Sequence, residues 1–152
     1  MQAVVVADKI PVPFSVQSET DQQSAALVAA RESLLLRAMG MNWKKKSSQK
    51  LRRGRRPSEG LAFVARDEAG TLVGTVRLWD VATGDGRSAL LLGPLAVDPS
   101  LKSAGIGSAL MAHAISEATR LGHRAILLVG YASYYARFGF SAEKTGMLTR
   151  AK

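Results

Sequence analysis

One stretch near the middle of the chain, residues 89–129, restricts the fold more than any other. It contains an apolar segment from Ala89 to Val97, a loop from Asp98 to Ala104, a helical pattern from Gly105 to Leu121 and a second apolar segment from Ala125 to Val129. A helical crossover of this length joins parallel strands, because a tight turn joins only antiparallel ones. We therefore predict that the two apolar segments pair in parallel, with the helix packed on the sheet through positions 107, 110, 111, 114, 115, 118 and 121.

Extended segments also precede this unit. Leu61 to Arg66 and Leu72 to Val81 flank a turn at 67–70, which predicts an antiparallel hairpin. Trp79 and Arg77 lie on one face of the second strand, where they either line a pocket or simply pack.

Three further elements are short or interrupted. Phe14 to Gln17 is typical of a strand, and Ser133 to Phe138 of a short helix. The Gly93-Pro94 pair interrupts the strand 89–97, and because proline cannot donate to a sheet ladder, it predicts a bulge there.

A longer helix is predicted after the first strand. Thr20 or Asp21 would cap its start, and Gly40 would end it after Met39. A second, short helix is predicted from Ser47 to Arg53.

The composition excludes several classes of protein. The 152 residues, of which 47% are hydrophobic, predict one globular domain over 1–152. No apolar run approaches the roughly 20 residues that span a bilayer, and no basic leader is recognised, so we expect a cytoplasmic protein without a membrane partner. The chain has no cysteine, and His113 and His123 are isolated, on the polar face of a helix and in a turn, so we expect no metal site.

The positive charge is concentrated in one segment. Eight basic residues and no acid lie at positions 44–56, and removing these eight from the net charge of +9 leaves the rest of the chain near neutral at +1. The segment could attract an acidic substrate or a nucleic acid, could lie near a phosphate of a cofactor, or could be a solvated loop. Nucleic-acid binding would rest on this segment alone, and we do not expect it.

Two glycines, Gly105 and Gly107, open the helix of the central unit. The first amides of a helix have no intrahelical partners, and glycine lets an anion approach the main chain, so the pattern favours either a phosphate site or merely tight helix packing. A Walker loop is absent. A dinucleotide fingerprint is excluded because position 110 is Leu110 and seven residues separate Val97 from Gly105.

Two motifs carry a resemblance to a known family. Lys102-x-x-Gly105-x-Gly107, after Leu95-Ala96-Val97-Asp98-Pro99, resembles the cofactor motif of the GNAT N-acetyltransferase superfamily. The run Tyr134-Tyr135-Ala136-Arg137-Phe138-Gly139-Phe140 is similar to the second signature of its small bacterial branch. The match covers roughly residues 14–142 and implies a mixed α/β fold, with a mostly antiparallel sheet, a splayed parallel strand pair and flanking helices.

The resemblance also implies roles for individual residues. Acetyl-CoA would be the co-substrate, with the Leu95 N–H polarising the thioester carbonyl and Tyr135 protonating the departing thiolate; Tyr134 and Tyr131 are substitutes if the register differs. The main chain of the strand end would bind pantetheine, and the loop amides would bind the pyrophosphate. The predicted cofactor-binding residues are Leu95, Ala96, Val97, Lys102, Ser103, Ala104, Gly105, Ile106, Gly107 and Ser108.

The sequence departs from the family pattern in three places. Lys102, Ser103 and Ala104 replace the usual residues of the loop. Strand 89–97 has no carboxylate to act as general base. Glu68, Asp80 and Asp98 are candidates for that role, although turn or cap roles are favoured for each. Only 12 residues follow Phe140, so we expect the last strands to be short or missing, through truncation or completion by a partner subunit as in a homodimer.

Two functions follow from these patterns. The first is transfer of an acetyl group to a primary amine of a small molecule or protein, by direct attack in a ternary complex. The alternative is a non-catalytic CoA-binding or nucleic-acid-binding module that uses the segment 44–56.

Overall fold

The computed structural model describes residues 13–19, 24–41, 55–102, 104–130, 132–142 and 148–151. These residues form seven strands, three α-helices and two short 3-10 segments. The strands are β1 (Phe14–Ser18), β2 (Ala62–Asp67), β3 (Leu72–Ala82), β4 (Ser88–Val97), β5 (Ala125–Leu128), β6 (Ser141–Ala142) and β7 (Leu148–Ala151). The helices are α1 (Ala25–Met39), α2 (Ile106–Arg120) and α3 (Ala132–Tyr135), with 3-10 segments at Pro99–Leu101 and Ala136–Phe138.

The strands form one mixed sheet in the order β1-β2-β3-β4-β5-β7-β6. Every neighbouring pair is antiparallel except β4 and β5, which run parallel, as the central unit predicts. Their parallel register contains only two pairs, Leu90 with Ile126 and Leu91 with Leu127. β4 continues to Val97 while β5 ends at Leu128, so the two strands part beyond Leu91.

The two long helices cover opposite faces of this sheet. Successive residues of a strand point to opposite faces, and on β2 Phe63 packs in the cluster that contains α2, whereas Val64 packs in the cluster that contains α1. Helix α2 contributes its buried positions Ile106, Leu110, Met111, Ala114 and Ala118. The spacing of these positions confirms most of the apolar face predicted from the sequence, although Leu121 is 42% exposed.

Gly74 of β3 sets how closely α2 lies on the sheet. A Cβ atom built on Gly74 would lie 2.8 Å from Leu110 Cδ1 and 2.9 Å from Ile106 Cγ2. Since these distances are shorter than ordinary contacts, the start of α2 lies directly on the glycine. This contact, which fixes the first turn of α2 against β3, was not predicted from the sequence.

Two local expectations are corrected and one is confirmed. The N-cap of α1 is Ser24, whose Oγ accepts from the Leu27 N–H at 3.5 Å, and not Thr20 or Asp21, which lie outside the described residues. Gly40 ends α1 as predicted, with φ of 86°. His113 does not lie on the polar face of α2; its ring packs edge-on against Phe63, with the centroids 4.7 Å apart.

The C-terminal strands were expected to be short or missing, and the structure confirms the first alternative, because both are present and short. β7 pairs with the whole of β5, from Ala125 with Ala151 to Leu128 with Leu148, and also with the two residues of β6. Since β5 has only four residues, a four-residue partner is long enough to cover it. Leu148 and Phe140 complete the core on that side.

The expectations for the basic region fall largely on residues outside the described part of the chain. The predicted helix from Ser47 to Arg53 and most of the segment 44–56 lie outside the described residues.

Within the described ranges, no helix has the length and apolar character needed to cross a membrane.

The contact at Gly74 gives a first testable prediction. Gly74→Ala should lower the free energy of unfolding by about 1–3 kcal/mol, because the added methyl overlaps two buried side chains of α2. The measurement is the urea midpoint. Gly84→Ala is the matched control, since a Cβ at Gly84 meets nothing within 4 Å. Equal midpoints for the two variants would contradict the prediction.

Candidate functional site

The open edge of β4 is the first component of the site. β3 accompanies β4 along its length, from Ala82 with Ser88 to Gly74 with Val97. On the other side, β5 pairs with β4 only at Leu90 and Leu91. Within the described residues, the β5-facing edge of β4 beyond Leu91 therefore has no strand partner, and its main-chain groups are available to a ligand.

A bulge shifts the register along this edge, as the Gly93-Pro94 pair predicts. Val76 pairs with Leu95 and Leu78 with Leu92, so one residue of β3, Arg77, opposes two residues of β4. Gly93 has φ of 131°, a region that favours glycine, and the Gly93-Pro94 peptide bond is cis. The bulge re-aims the main chain immediately before Leu95, the residue whose N–H the family resemblance would place against the thioester carbonyl.

A short loop connects the end of β4 to α2. Asp98 caps the 3-10 segment, accepting from the Ser100 N–H at 2.9 Å and the Ser100 hydroxyl at 2.8 Å. Arg37 of α1 donates to the same carboxylate at 2.9 Å. The pKa of Asp98 is lowered by hydrogen bonds, first from the Ser100 side chain and then from the Ser100 amide and Arg37. This carboxylate is therefore a cap and a poor general base.

The beginning of α2 has an anion-binding character. Gly105 is its N-cap, with φ of 87° and no side-chain hydrogen bond to the first amides. The first N–H groups of the helix are therefore left for another partner, and the positive end of the helix dipole lies with them. Lys102 is exposed beside this turn, Ala104 and Ser108 are half-buried, and Ser103 lies outside the described residues.

Tyr134 lies beside the same turn. A Cβ on Gly107 would lie 3.2 Å from the Tyr134 hydroxyl and 3.6 Å from Val97 Cγ2. The end of β4, the start of α2 and α3 thus meet around Gly107. Any side chain there would narrow the space beside the uncapped amides.

The ring of Tyr135, the predicted acid, packs directly on a second glycine, Gly130. A Cβ on Gly130 would lie 3.0 Å from Tyr135 Cδ2 and still closer to Cε2, so only glycine leaves room for the ring at the end of β5. The Tyr135 ring also packs near Tyr134 and Phe140, with centroids 4.9 and 6.1 Å away. Burial, followed by the charge of Tyr134, raises the pKa of Tyr135, which keeps its hydroxyl protonated.

The guanidinium of Arg137 lies near two aromatic rings of this segment. It lies 5.5 Å from the Tyr134 centroid and 5.2 Å from that of Phe138. Arg150 of β7 donates to the Phe138 carbonyl at 2.9 Å. The C-terminal strand therefore supports the segment that carries both tyrosines, a link that the sequence did not indicate.

The other sequence candidates lie elsewhere. Asp80 accepts from the Ser58 hydroxyl at 3.0 Å, and Glu68 is exposed in the β2–β3 turn. In the described part of the chain, no group of three or more acidic or histidine side chains could hold a metal ion. A cavity of about 380 Å³ lies at the opposite ends of the strands, lined by Asp80, Val81, Ser88, Ala89, Gly122, His123, Arg124 and Ala125, and so away from the glycine turn.

Comparison with solved structures identifies proteins that share this architecture. A GNAT family N-acetyltransferase from Escherichia coli, solved in complex with CoA, superposes with a TM-score of 0.75 at 21% identity, over 93% of this chain and 83% of that one. A GNAT family acetyltransferase from Brucella melitensis, in complex with acetyl-CoA, gives a TM-score of 0.73 at 25% identity, over 92% and 88% of the two chains. A search of curated proteins by sequence finds no match.

A family comparison assigns the chain itself. The family described as acetyltransferase (GNAT) domain matches residues 58–142, more than half of the chain. This range runs from just before β2 to the end of β6 and includes the bulge, the glycine turn and both tyrosines. The chain belongs to the GNAT acetyltransferase family.

Proposed function

We propose that this protein is an acetyl-CoA-dependent N-acetyltransferase that moves an acetyl group to a primary amine in a ternary complex. The observation that carries the proposal is the uncapped start of α2 beside the open edge of β4, in a chain of the GNAT family. CoA and acetyl-CoA, which two proteins of similar fold bind, have both parts that such a site could recognise. Their pantetheine amides suit a strand edge, and their pyrophosphate suits a helix N-terminus.

The proposed donor site consists mainly of main-chain groups. The amides of Gly105 to Ser108, together with those of Lys102 to Ala104, would hold the pyrophosphate, and the main-chain N–H of Val97 on the open edge would bind the pantetheine. Because amides supply these bonds, the unusual side chains at Lys102 and Ala104 are compatible with the role. The Leu95 N–H would point to the thioester carbonyl and stabilise the negative charge that develops on its oxygen.

The proposed reaction needs one acid. The neutral amine nitrogen attacks the thioester carbon, the C–S bond breaks, and the thiolate takes the hydroxyl proton of Tyr135, which solvent later replaces. The acceptor nitrogen loses its proton to water, since β4 carries no carboxylate. A tyrosine whose pKa is raised by burial is a proton donor throughout the neutral range.

The proposal specifies the acceptor only as a chemical class. The acceptor is a primary amine on a small molecule or a protein, and a cytoplasmic setting and a homodimer remain predictions. The described residues offer no observation that favours the alternative, a non-catalytic CoA-binding or nucleic-acid-binding module. Most of the basic segment on which its nucleic-acid form depends lies outside them.

Gly107 tests the donor site. Gly107→Ala should weaken CoA binding about tenfold in calorimetry, because its methyl enters the space between the first-turn amides and the Tyr134 hydroxyl. Stability should change little, since the gain in helix propensity offsets that tight contact.

A truncated donor separates pyrophosphate binding from other effects of the substitution. Turnover of acetyl-pantetheine, which has no pyrophosphate, should be the same for Gly107→Ala, the Gly84→Ala control and the unchanged protein. An equal loss with both donors would show that Gly107 does not act on the pyrophosphate.

The two tyrosines test the acid. Tyr135→Phe should lower kcat about a hundredfold or more with unchanged CoA affinity, because the phenyl ring keeps the packing but has no proton to donate. Tyr134→Phe is the matched control and should retain most of kcat. A reversal of the two results would assign the acid to Tyr134.

The pH dependence gives a separate check on Tyr135. Burial raises the pKa of Tyr135 above the usual value of about 10, so its hydroxyl should stay protonated at lower pH. The kcat of the unchanged protein should therefore not fall through deprotonation of Tyr135 between pH 7 and about 10. A loss of kcat in this range that disappears in Tyr135→Phe would instead mean that the pKa of Tyr135 is lowered.

A further inference from the structure

The bulge on β4 is secured by a side chain of the neighbouring strand. The indole Nε1–H of Trp79 donates to the Gly93 carbonyl at 2.5 Å. Trp79 is only 4% exposed, so this bond is protected from water. It forms where Gly93 and Pro94 together oppose the single residue Arg77, so a side-chain donor supports β4 at the point where the ladder is interrupted.

The Trp79 ring is in turn held by Arg77. Residues 77 and 79 lie on the α1 face of β3, because Leu78 between them packs in the α2 cluster. The guanidinium carbon of Arg77 lies 5.5 Å from the Trp79 ring centroid. Rotation of the indole away from Gly93 would therefore disturb a cation held beside its ring.

Arg77 is fixed by a buried carboxylate. Its Nε and Nη2 atoms donate to Glu19 Oε2 at 3.3 and 3.1 Å, and Arg31 of α1 donates to Glu19 Oε1 at 3.1 Å. The Glu19 side chain has no exposed surface. The Glu19 N–H also donates to the Ala62 carbonyl at 2.9 Å, which ties the end of β1 to β2.

The geometry of this cluster favours a positioning role over a stabilising one. Burial lowers the pKa of Arg77, and the neighbouring Glu19 opposes that effect. Desolvation offsets much of the attraction in a buried ion pair, so such a cluster adds little net stability compared with apolar packing. What it does provide is a fixed direction, since two guanidinium groups from α1 and β3 converge on one carboxylate.

We infer that Trp79 is a positioning residue for acetyl transfer, acting on the Leu95 N–H through the Gly93 carbonyl. Only Pro94 separates these two groups, and its ring fixes its φ angle, so the direction of the carbonyl restricts the direction of the amide. Trp79 is buried and acts through Gly93 without touching the substrate. This inference rests on the proposed function, in which the Leu95 N–H polarises the thioester carbonyl.

The test is the infrared band of the thioester carbonyl in bound acetyl-CoA, labelled with heavy carbon at that position. A hydrogen bond to the carbonyl lowers its stretching frequency, so the unchanged protein should shift the band downward on binding. Trp79→Phe, which removes the N–H but keeps a ring, should reduce this shift and lower kcat by about ten- to a hundredfold. Its affinity for CoA should stay within about twofold, because the pyrophosphate contacts lie elsewhere.

Two further variants keep the experiment decisive. Phe63→Leu perturbs a fully buried aromatic residue on the opposite face and should leave the band unchanged, which separates positioning from general loss of packing. Arg77→Lys keeps the charge but loses the paired contacts with Glu19, so it should reduce the shift in the same direction and by less. It also replaces Trp79→Phe if that variant does not fold.

The outcomes distinguish the two levels of the proposal. If Trp79→Phe has a normal band shift and a normal kcat, the role of Trp79 is overturned while acetyl transfer stands. The same result in Arg77→Lys has the same meaning where that variant replaces Trp79→Phe. No shift in the unchanged protein refutes the Leu95 N–H contact, and no acetyl transfer to any amine refutes the proposed function. A shift that Phe63→Leu reduces equally also overturns the inference, because it would then report general packing.

Discussion

The two-pair contact between β4 and β5 is the constraint on which the rest of the site depends. Had the strands paired along their whole lengths, the β4 edge near Leu95 would be occupied by β5. Because pairing stops at Leu91, that edge opens toward the glycine turn at the start of α2. The antiparallel contact with β3 continues past this point, so β4 remains part of the sheet while one side of it is available.

At this opening, two glycines each leave space for an aromatic side chain. Gly107 leaves room for the Tyr134 hydroxyl, and Gly130 leaves room for the Tyr135 ring. On the other face of β3, Trp79 supports the bulge. In the proposed site, main-chain groups would supply the binding contacts and side chains would fix their directions, so Lys102 and Ala104 are compatible with it.

Much of the fold could be predicted because its signals are local. The periodicity of residues 105–121 and the pair Gly93-Pro94 indicated α2, the parallel strand pair and the bulge, and the structure confirms all three. The failures involve contacts that are distant in sequence or compete with one another. β7 is too short for a clear pattern and pairs with β5 and β6, and Ser24 caps α1 although Thr20 and Asp21 are also suitable residue types.

The sequence by itself determined a glycine-opened helix after a bulged strand, since helix periodicity, proline and glycine act through the backbone of a few neighbouring residues. Only the tertiary structure decided which side chains surround that backbone. The contacts of Tyr134 with Gly107, Trp79 with Gly93, and Arg77 with Glu19 join residues 14–58 positions apart. Such pairings depend on how strands and helices that are distant in sequence pack against one another, which no local pattern encodes.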